Sequence, residues 1–423
     1  MKRLFGFSLI LCSLLAFLPV HASSTGFFQS HTSSSNDSVP GGFSLPLAWN
    51  AGLEVLPSYV LGTASWLKGE NQWNKPIRSS VAADFNLTFR FSPESREGIL
   101  YPGLYTGFGL GPTFFPGRQE MLSTPGSIYA TQGAPFKHFS PRLSLGYEWQ
   151  FGIAAGWNDN GGDFPDATAV ISTVVTAHMG VRLKLKYAIT DDFNLTMALC
   201  GTHFSNGNTS WRNSGLNSAG IAIGAEYALS SHPKVSFHDR ALEEEADRKK
   251  WFIDFIGFGS WRKRTVEVPT PILNEEGEIV IEDAENLVPG RFPVAGIQVA
   301  PMITLNRWVA VGAALDLKWD KSAGKRPYWI EDTHYEQIRF NPVPFSKQIA
   351  AGISAHAELT TPLFSINAGV GVNIINPKGD KYFYQQLIFK AFITRNLFLN
   401  IGYGLGNFKN PNNLMLGVGY RLY

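Results

Sequence analysis

The 423-residue chain carries 36 Lys and Arg against 34 Asp and Glu, a formal charge of +2 that argues for neither a nucleic acid nor a strongly acidic partner. Charged residues make up only 17%, whereas Gly (42), Phe (31), Tyr (14) and Trp (11) are plentiful. Beyond the N-terminal segment no apolar stretch reaches the roughly 18 residues of a spanning helix, so a membrane form of this chain has to be a closed barrel of alternating strands.

In chain order, Lys2 and Arg3 precede an apolar run from Leu4 to Val20, and "VHASS" supplies small residues for a cut after Ala22. Residues 1–22 are therefore expected to be a signal peptide. Cys12 lies inside it behind Leu11, which disfavours lipid attachment, and the remaining cysteine, Cys200, has no intramolecular partner. Residues 23–44, rich in Ser and Gly, are expected to be a flexible lead-in. Strand-like segments follow at roughly 53–67, 80–92, 101–115, 127–137, 141–157, 172–189, 194–206 and 217–229. Residues 231–250 are too polar for a lipid-facing strand, and "RALEEEADRKK" suits a short solvated helix in a polar linker.

A second series begins at Trp251, at roughly 251–266, 292–304, 308–319, 347–359, 363–375, 382–393, 397–408 and 413–423. Within it "TLNRWV", "LTTPLFS" and "ITRNLF" read as tight turns, while 267–291 and 320–346 read as long polar connections. Outer-membrane barrels have short periplasmic turns and long external loops, so the asymmetry orients the chain. Leu414, Leu416, Val418, Tyr420 and Leu422 alternate up to the terminal Tyr423, a chain end that resembles the assembly signal of outer-membrane barrels.

The two series also resemble each other, because "YAITDDFNLTMALCGTHFSN" (187–206) aligns without a gap on "AFITRNLFLNIGYGLGNFKN" (391–410). The expected fold is all-β: a transmembrane antiparallel barrel of the outer membrane, divided into a barrel over 45–230 and a degenerate repeat over 251–423. Two tandem eight-stranded barrels are favoured over one of about sixteen strands, since Gly220, Ala222 and Gly224 suit a narrow, filled interior.

Parity sorts the segment 194–206 into two faces. Leu195, Met197, Leu199, Gly201, His203 and Ser205 share one, which starts apolar and belongs against lipid; Thr196, Ala198, Cys200, Thr202, Phe204 and Asn206 share the other. A hairpin centred near Ser210 brings Asn217 beside His203. The tight turn at 190–193 is periplasmic, which sets His203 and Ser205 at the level of the outer leaflet. A serine and a histidine there can act as nucleophile and general base toward an acyl ester of a membrane lipid if a third group orients the imidazole. The matching positions in the second series are Asn407 and Lys409, so its copy of this chemistry is absent.

"HFSNGNTSWRNSGLNSAGI" resembles the His-aromatic-Ser-Asn signature of the lipid A 3-O-deacylase (acyloxyacyl hydrolase) family, and "YPGLYTGFGLG" (101–111) looks like its divergent members. The resemblance covers roughly residues 50–230. It implies an eight-stranded outer-membrane barrel acting on lipopolysaccharide from its lipid-facing wall. By it Ser205 would be the nucleophile, His203 the general base and Asn206 an oxyanion contributor. The sequence departs from the family where the acidic partner of the histidine should fall: that position is Asn217. An amide oxygen can hold the imidazole tautomer but cannot stabilise the imidazolium as a carboxylate does. Glu226 has the wrong parity to substitute, leaving a loop acid such as Asp159 or Asp163 as the other source. No cofactor and no metal are expected; the partners are lipid A and membrane lipid. A noncatalytic outer-membrane barrel, structural or transporting, is the alternative.

Overall fold

The computed structural model describes residues 47–158, 170–210, 214–230, 238–273, 279–332, 335–377, 380–407 and 410–423. The segments read as signal peptide and lead-in lie outside the described residues, as do Asp159, Asp163 and the start of the linker, 231–237.

Eight antiparallel strands close the first barrel: β1 (Ala48–Val60), β2 (Ser79–Arg90), β3 (Tyr105–Phe114), β4 (Ser123–Ser140), β5 (Leu143–Trp157), β6 (Val175–Ala188), β7 (Phe193–Ser205) and β8 (Leu216–Ala228), with β8 returning to β1. A second closed barrel is made of β9 (Trp251–Leu273), β10 (Ile279–Thr304), β11 (Val309–Asp320), β14 (Ile349–Thr360), β15 (Phe364–Ile375), β16 (Phe383–Phe392), β17 (Leu397–Gly406) and β18 (Asn410–Leu422). Strands β12 (Pro327–Asp332) and β13 (Tyr335–Phe340) form a separate hairpin between β11 and β14. Each barrel thus closes on itself, and a single sixteen-stranded barrel is set aside. Two of the expected connections are more ordered than their polarity suggests. Most of 267–291 continues the β9–β10 ladder out to the Leu273–Ile279 pair, and 320–346 contains the β12–β13 hairpin. Backbone pairing in a ribbon needs no apolar face, so periodicity does not reveal it.

The strands are inverted relative to a water-soluble protein. Leu53 (66% exposed), Leu199 (60%) and Ile223 (62%) face outward, while the alternating inner positions hold Glu54, Thr196 and Cys200, all buried. Lipid satisfies the outer face, and closure leaves no unpaired strand edge. The lumens are filled with charge. In the first, Arg182 binds Glu54 and also Asp84 at 2.8 Å, and Lys184 lies 2.9, 3.1 and 2.8 Å from Glu54, Glu148 and Glu226. In the second, Asp254 accepts from Arg421 at 2.7 Å and from Lys390 at 2.7 Å, and Glu358 binds both cations. Small residues make room for these side chains. A Cβ at Gly224 would come within 2.3 Å of the Leu53 carbonyl oxygen and 2.5 Å of Glu54 Cγ.

The two barrels pack wall to wall. Trp149 of β5 meets Phe364 and Phe389 of β15 and β16 at ring distances of 5.5 and 5.1 Å, and Phe151 stacks on Phe389 at 4.9 Å. At the short-turn end, Tyr101 donates to the Arg307 carbonyl (3.0 Å), and burial pushes its phenol up to about 12. Arg307 in turn binds Glu243 (3.2 Å) and Asp247 (3.2 Å) at the linker helix Arg240–Ala246, whose first turn Asp239 caps through the Leu242 N–H. Hydrogen bonds from Arg307 and His238 hold the Glu243 carboxyl below the usual carboxylate range. This clasp is therefore intact at neutral pH and weakens as acidification protonates Glu243.

Candidate active site

Strand β7 carries the candidate residues, and its inward side explains their presentation. Phe204 is buried among Trp157, Leu216, Phe115 and Ile171 in the apolar cluster that plugs the long-loop end of the first barrel. Its ring meets those of Trp157 and His178 at 5.1 Å each, and Trp157 is fixed by its indole N–H to Thr176 (3.0 Å). Anchoring Phe204 inward commits the residues on either side of it, His203 and Ser205, to the outer wall.

On that wall His203 and Asn217 are direct cross-strand partners, and His203 Nδ1 lies 2.7 Å from Asn217 Oδ1. An amide oxygen only accepts, so Nδ1 carries the proton and Nε2 is left as the basic nitrogen. Gly215 backs the imidazole. It has φ +67°, and a Cβ there would sit 2.8 Å from His203 Cε1. Ser205 ends the strand opposite Ala177 of β6. Its hydroxyl accepts from the Gly207 N–H at 3.2 Å and shares a hydrogen bond with the Tyr403 phenol of β17. Although it belongs to the outward face, Ser205 is only 4% exposed.

Asn206 is differently disposed from what an oxyanion role for its side chain requires. Its amide donates to Ser172 Oγ (3.1 Å) and the Ser210 carbonyl (3.4 Å), and its oxygen accepts from the Asn208 N–H (2.9 Å). These bonds build the turn that follows β7, in which Gly207 and Asn208 both have φ +64°. The side chain shapes the turn instead of facing the Ser205 hydroxyl's outer side. Glu226 points into the lumen, where Lys184 and Lys186 hold it at 2.8 and 2.5 Å. It is spent on that network and does not reach His203.

The second barrel contains a constellation that parity reading of the first overlooked. Ser354 Oγ lies 2.8 Å from His356 Nε2, and His356 Nδ1 lies 2.5 Å from Asn367 Oδ1. The signal was the Ser-x-His spacing with an Asn across the β14–β15 hairpin. All three residues are buried on the lumen side, and Ser354 donates to Asp316 at 2.6 Å. Asn367 continues the chain to Glu358 (3.2 Å) and so to Lys390 and Arg421. A filled lumen admits no acyl chain, and these groups satisfy one another.

The repeat visible in the sequence is also visible as geometry. In the β6–β7 turn Thr190 Oγ1 accepts from Asp192 and Phe193 N–H (3.3 and 3.0 Å); in the β16–β17 turn Thr394 Oγ1 accepts from Asn396 and Leu397 N–H (3.3 and 2.9 Å). Asn407 takes the place of His203, and Lys409 lies outside the described residues.

No curated protein matches the chain's sequence. Similar solved structures include a mutant of the TodX monoaromatic hydrocarbon channel, at 11% identity over 89% of this chain and 90% of that one, with a TM-score of 0.17. The siderophore receptor PirA from Acinetobacter baumannii is similar at 8% identity over 84% and 68%, with a TM-score of 0.21. An outer membrane channel from Pseudomonas putida F1 is similar at 13% identity over 91% and 99%, with a TM-score of 0.17. Superposition at this level attaches none of their transport roles to this chain. A family match falls on the second barrel and not on residues 50–230, where the sequence resemblance was drawn. Residues 252–423 match the acyloxyacyl hydrolase C-terminal domain, so the second barrel is similar to that domain.

Proposed function

We propose that the protein is an outer-membrane esterase that removes an ester-linked acyl chain from lipid A of lipopolysaccharide, using Ser205 as nucleophile and His203 as general base in the first barrel. The observation that carries this reading is the 2.7 Å contact between His203 Nδ1 and Asn217 Oδ1 on the outward face of the strand. It leaves Nε2 to take a proton from a serine two residues along the same face. Attack on the ester carbonyl forms an acyl-serine and releases the sugar hydroxyl, which His203 reprotonates; water then frees the fatty acid. After removal of the proposed signal peptide, the site would lie in the outer leaflet with its substrate beside it. The test is the lipid A mass spectrum of cells with and without the protein. A species lighter by one hydroxyacyl chain is expected only with it; identical spectra would favour the noncatalytic barrel, for which the low exposure of Ser205 is the best support.

Asn217 gives a graded test. Asn217→Glu supplies a carboxylate that both orients His203 and stabilises the imidazolium, and the deacylation rate is expected to rise. Loss of such a carboxylate costs about 10⁴ in serine proteases, which bounds the gain. Asn217→Ala is expected to fall below wild type. Equal rates for all three proteins in one detergent would remove Asn217 from the catalytic unit.

A further inference from the structure

The hydroxyl of Ser205 is covered by a residue of the other barrel. Tyr403 and Leu414 are cross-strand partners on the outer wall of β17 and β18. Tyr403 hydrogen-bonds Ser205, and Leu414 lies against Gly207, where a Cβ would come within 2.3 Å of Leu414 Cδ2. The next residue is clamped to the second barrel. The Asn208 carbonyl accepts from the Lys263 N–H (3.0 Å), and its amide donates to the carbonyls of Lys263 and Asn412 (3.4 Å each). The turn after the candidate nucleophile is thus held by β9, β17 and β18.

We infer that the second barrel contributes a catalytic residue to the first: the Tyr403 phenol donates to the oxyanion formed when Ser205 attacks an ester. This rests on the proposed esterase reading. In that step the Ser205 Oγ–carbon bond forms, the Oγ proton passes to His203 Nε2, and the carbonyl electron pair moves onto oxygen. The oxyanion is two bonds from Oγ. The groups that contact Oγ in the free protein, the Tyr403 phenol and the Gly207 N–H, therefore lie near the position it takes up, and the phenol can turn its O–H toward the charge once Oγ is acylated. The Asn206 amide, the side-chain donor suggested by the sequence, is engaged with Ser172 and Ser210. Collapse of the intermediate breaks the ester C–O bond, and His203 returns its proton to the leaving alkoxide.

The test uses the full-length protein in detergent and a fluorophosphonate, which phosphonylates an activated serine through a pentacoordinate state that places negative charge on the phosphoryl oxygen as fluoride leaves. Mass spectrometry of the peptide containing Ser205 gives the rate of labelling. Tyr403→Phe keeps the ring and its packing and removes only the hydroxyl. Labelling of Ser205 is expected to slow by about 10²–10³-fold, the usual effect of losing one oxyanion donor. Hydrolysis of a p-nitrophenyl acyl ester should lose kcat to a similar degree with KM nearly unchanged, a split that mere loosening of the interface would not produce. Labelling of Tyr403→Phe as fast as, or faster than, wild type would overturn the inference and leave the esterase reading standing. Failure of wild type to label at Ser205 would overturn both.

Discussion

Ser205→Ala is expected to abolish release of an acyl chain from lipid A, lowering the rate by about 10⁴-fold or more, because removal of the nucleophile from a catalytic unit costs nearly as much as removal of the whole unit. His203→Ala should be about as damaging for the same reason. Neither change should prevent folding. Phe204, which anchors the strand, is untouched, and although Ser205→Ala removes the acceptor of the Gly207 N–H, the turn keeps the hydrogen bonds made by the Asn206 side chain. Heat-modifiable migration on a gel checks insertion and closure, and mass spectrometry of lipid A checks chemistry. A folded Ser205→Ala protein that still releases the acyl chain would remove Ser205 from the mechanism.

The largest effect on stability is expected at Arg182. Its guanidinium is buried in the first lumen among Glu54, Asp84 and Glu148, the last at 3.6 Å. Arg182→Met fills similar volume but leaves Glu54 and Glu148 with Lys184 and takes away the guanidinium that Asp84 pairs with. Breaking a buried ion pair from one side costs about 3–5 kcal/mol, because the surviving charges stay desolvated. The urea midpoint for unfolding in detergent should drop accordingly. Neutralising two of the acids as well, with Glu54→Gln and Asp84→Asn, should recover much of the loss, since the penalty is one of unpaired charge and not of lost packing. An unchanged midpoint for Arg182→Met would mean that the lumen holds its carboxylates by other means.

What the sequence determined by itself was local and periodic. Side chains alternate along a strand, so Leu195, Met197 and Leu199 had to share an outer face and Thr196, Ala198 and Cys200 an inner one. Hairpin pairing across a short connection was enough to set Asn217 opposite His203. The gapless alignment of 187–206 on 391–410 likewise marked two strands that begin at the same threonine-capped turn. Tertiary structure decided everything that depends on residues far apart in the chain. Periodicity is the same for eight strands closing twice and sixteen closing once; the return of β8 to β1 and of β18 to β9 separates them. Parity placed Glu226 in a lumen but did not name Lys184 and Lys186 as its partners. It placed Ser205 on an outer wall, where lipid was the expected neighbour, whereas the wall of β17 and β18 covers it with Tyr403. Alternation says which way a side chain points. What it meets there is set by how one closed barrel packs on another.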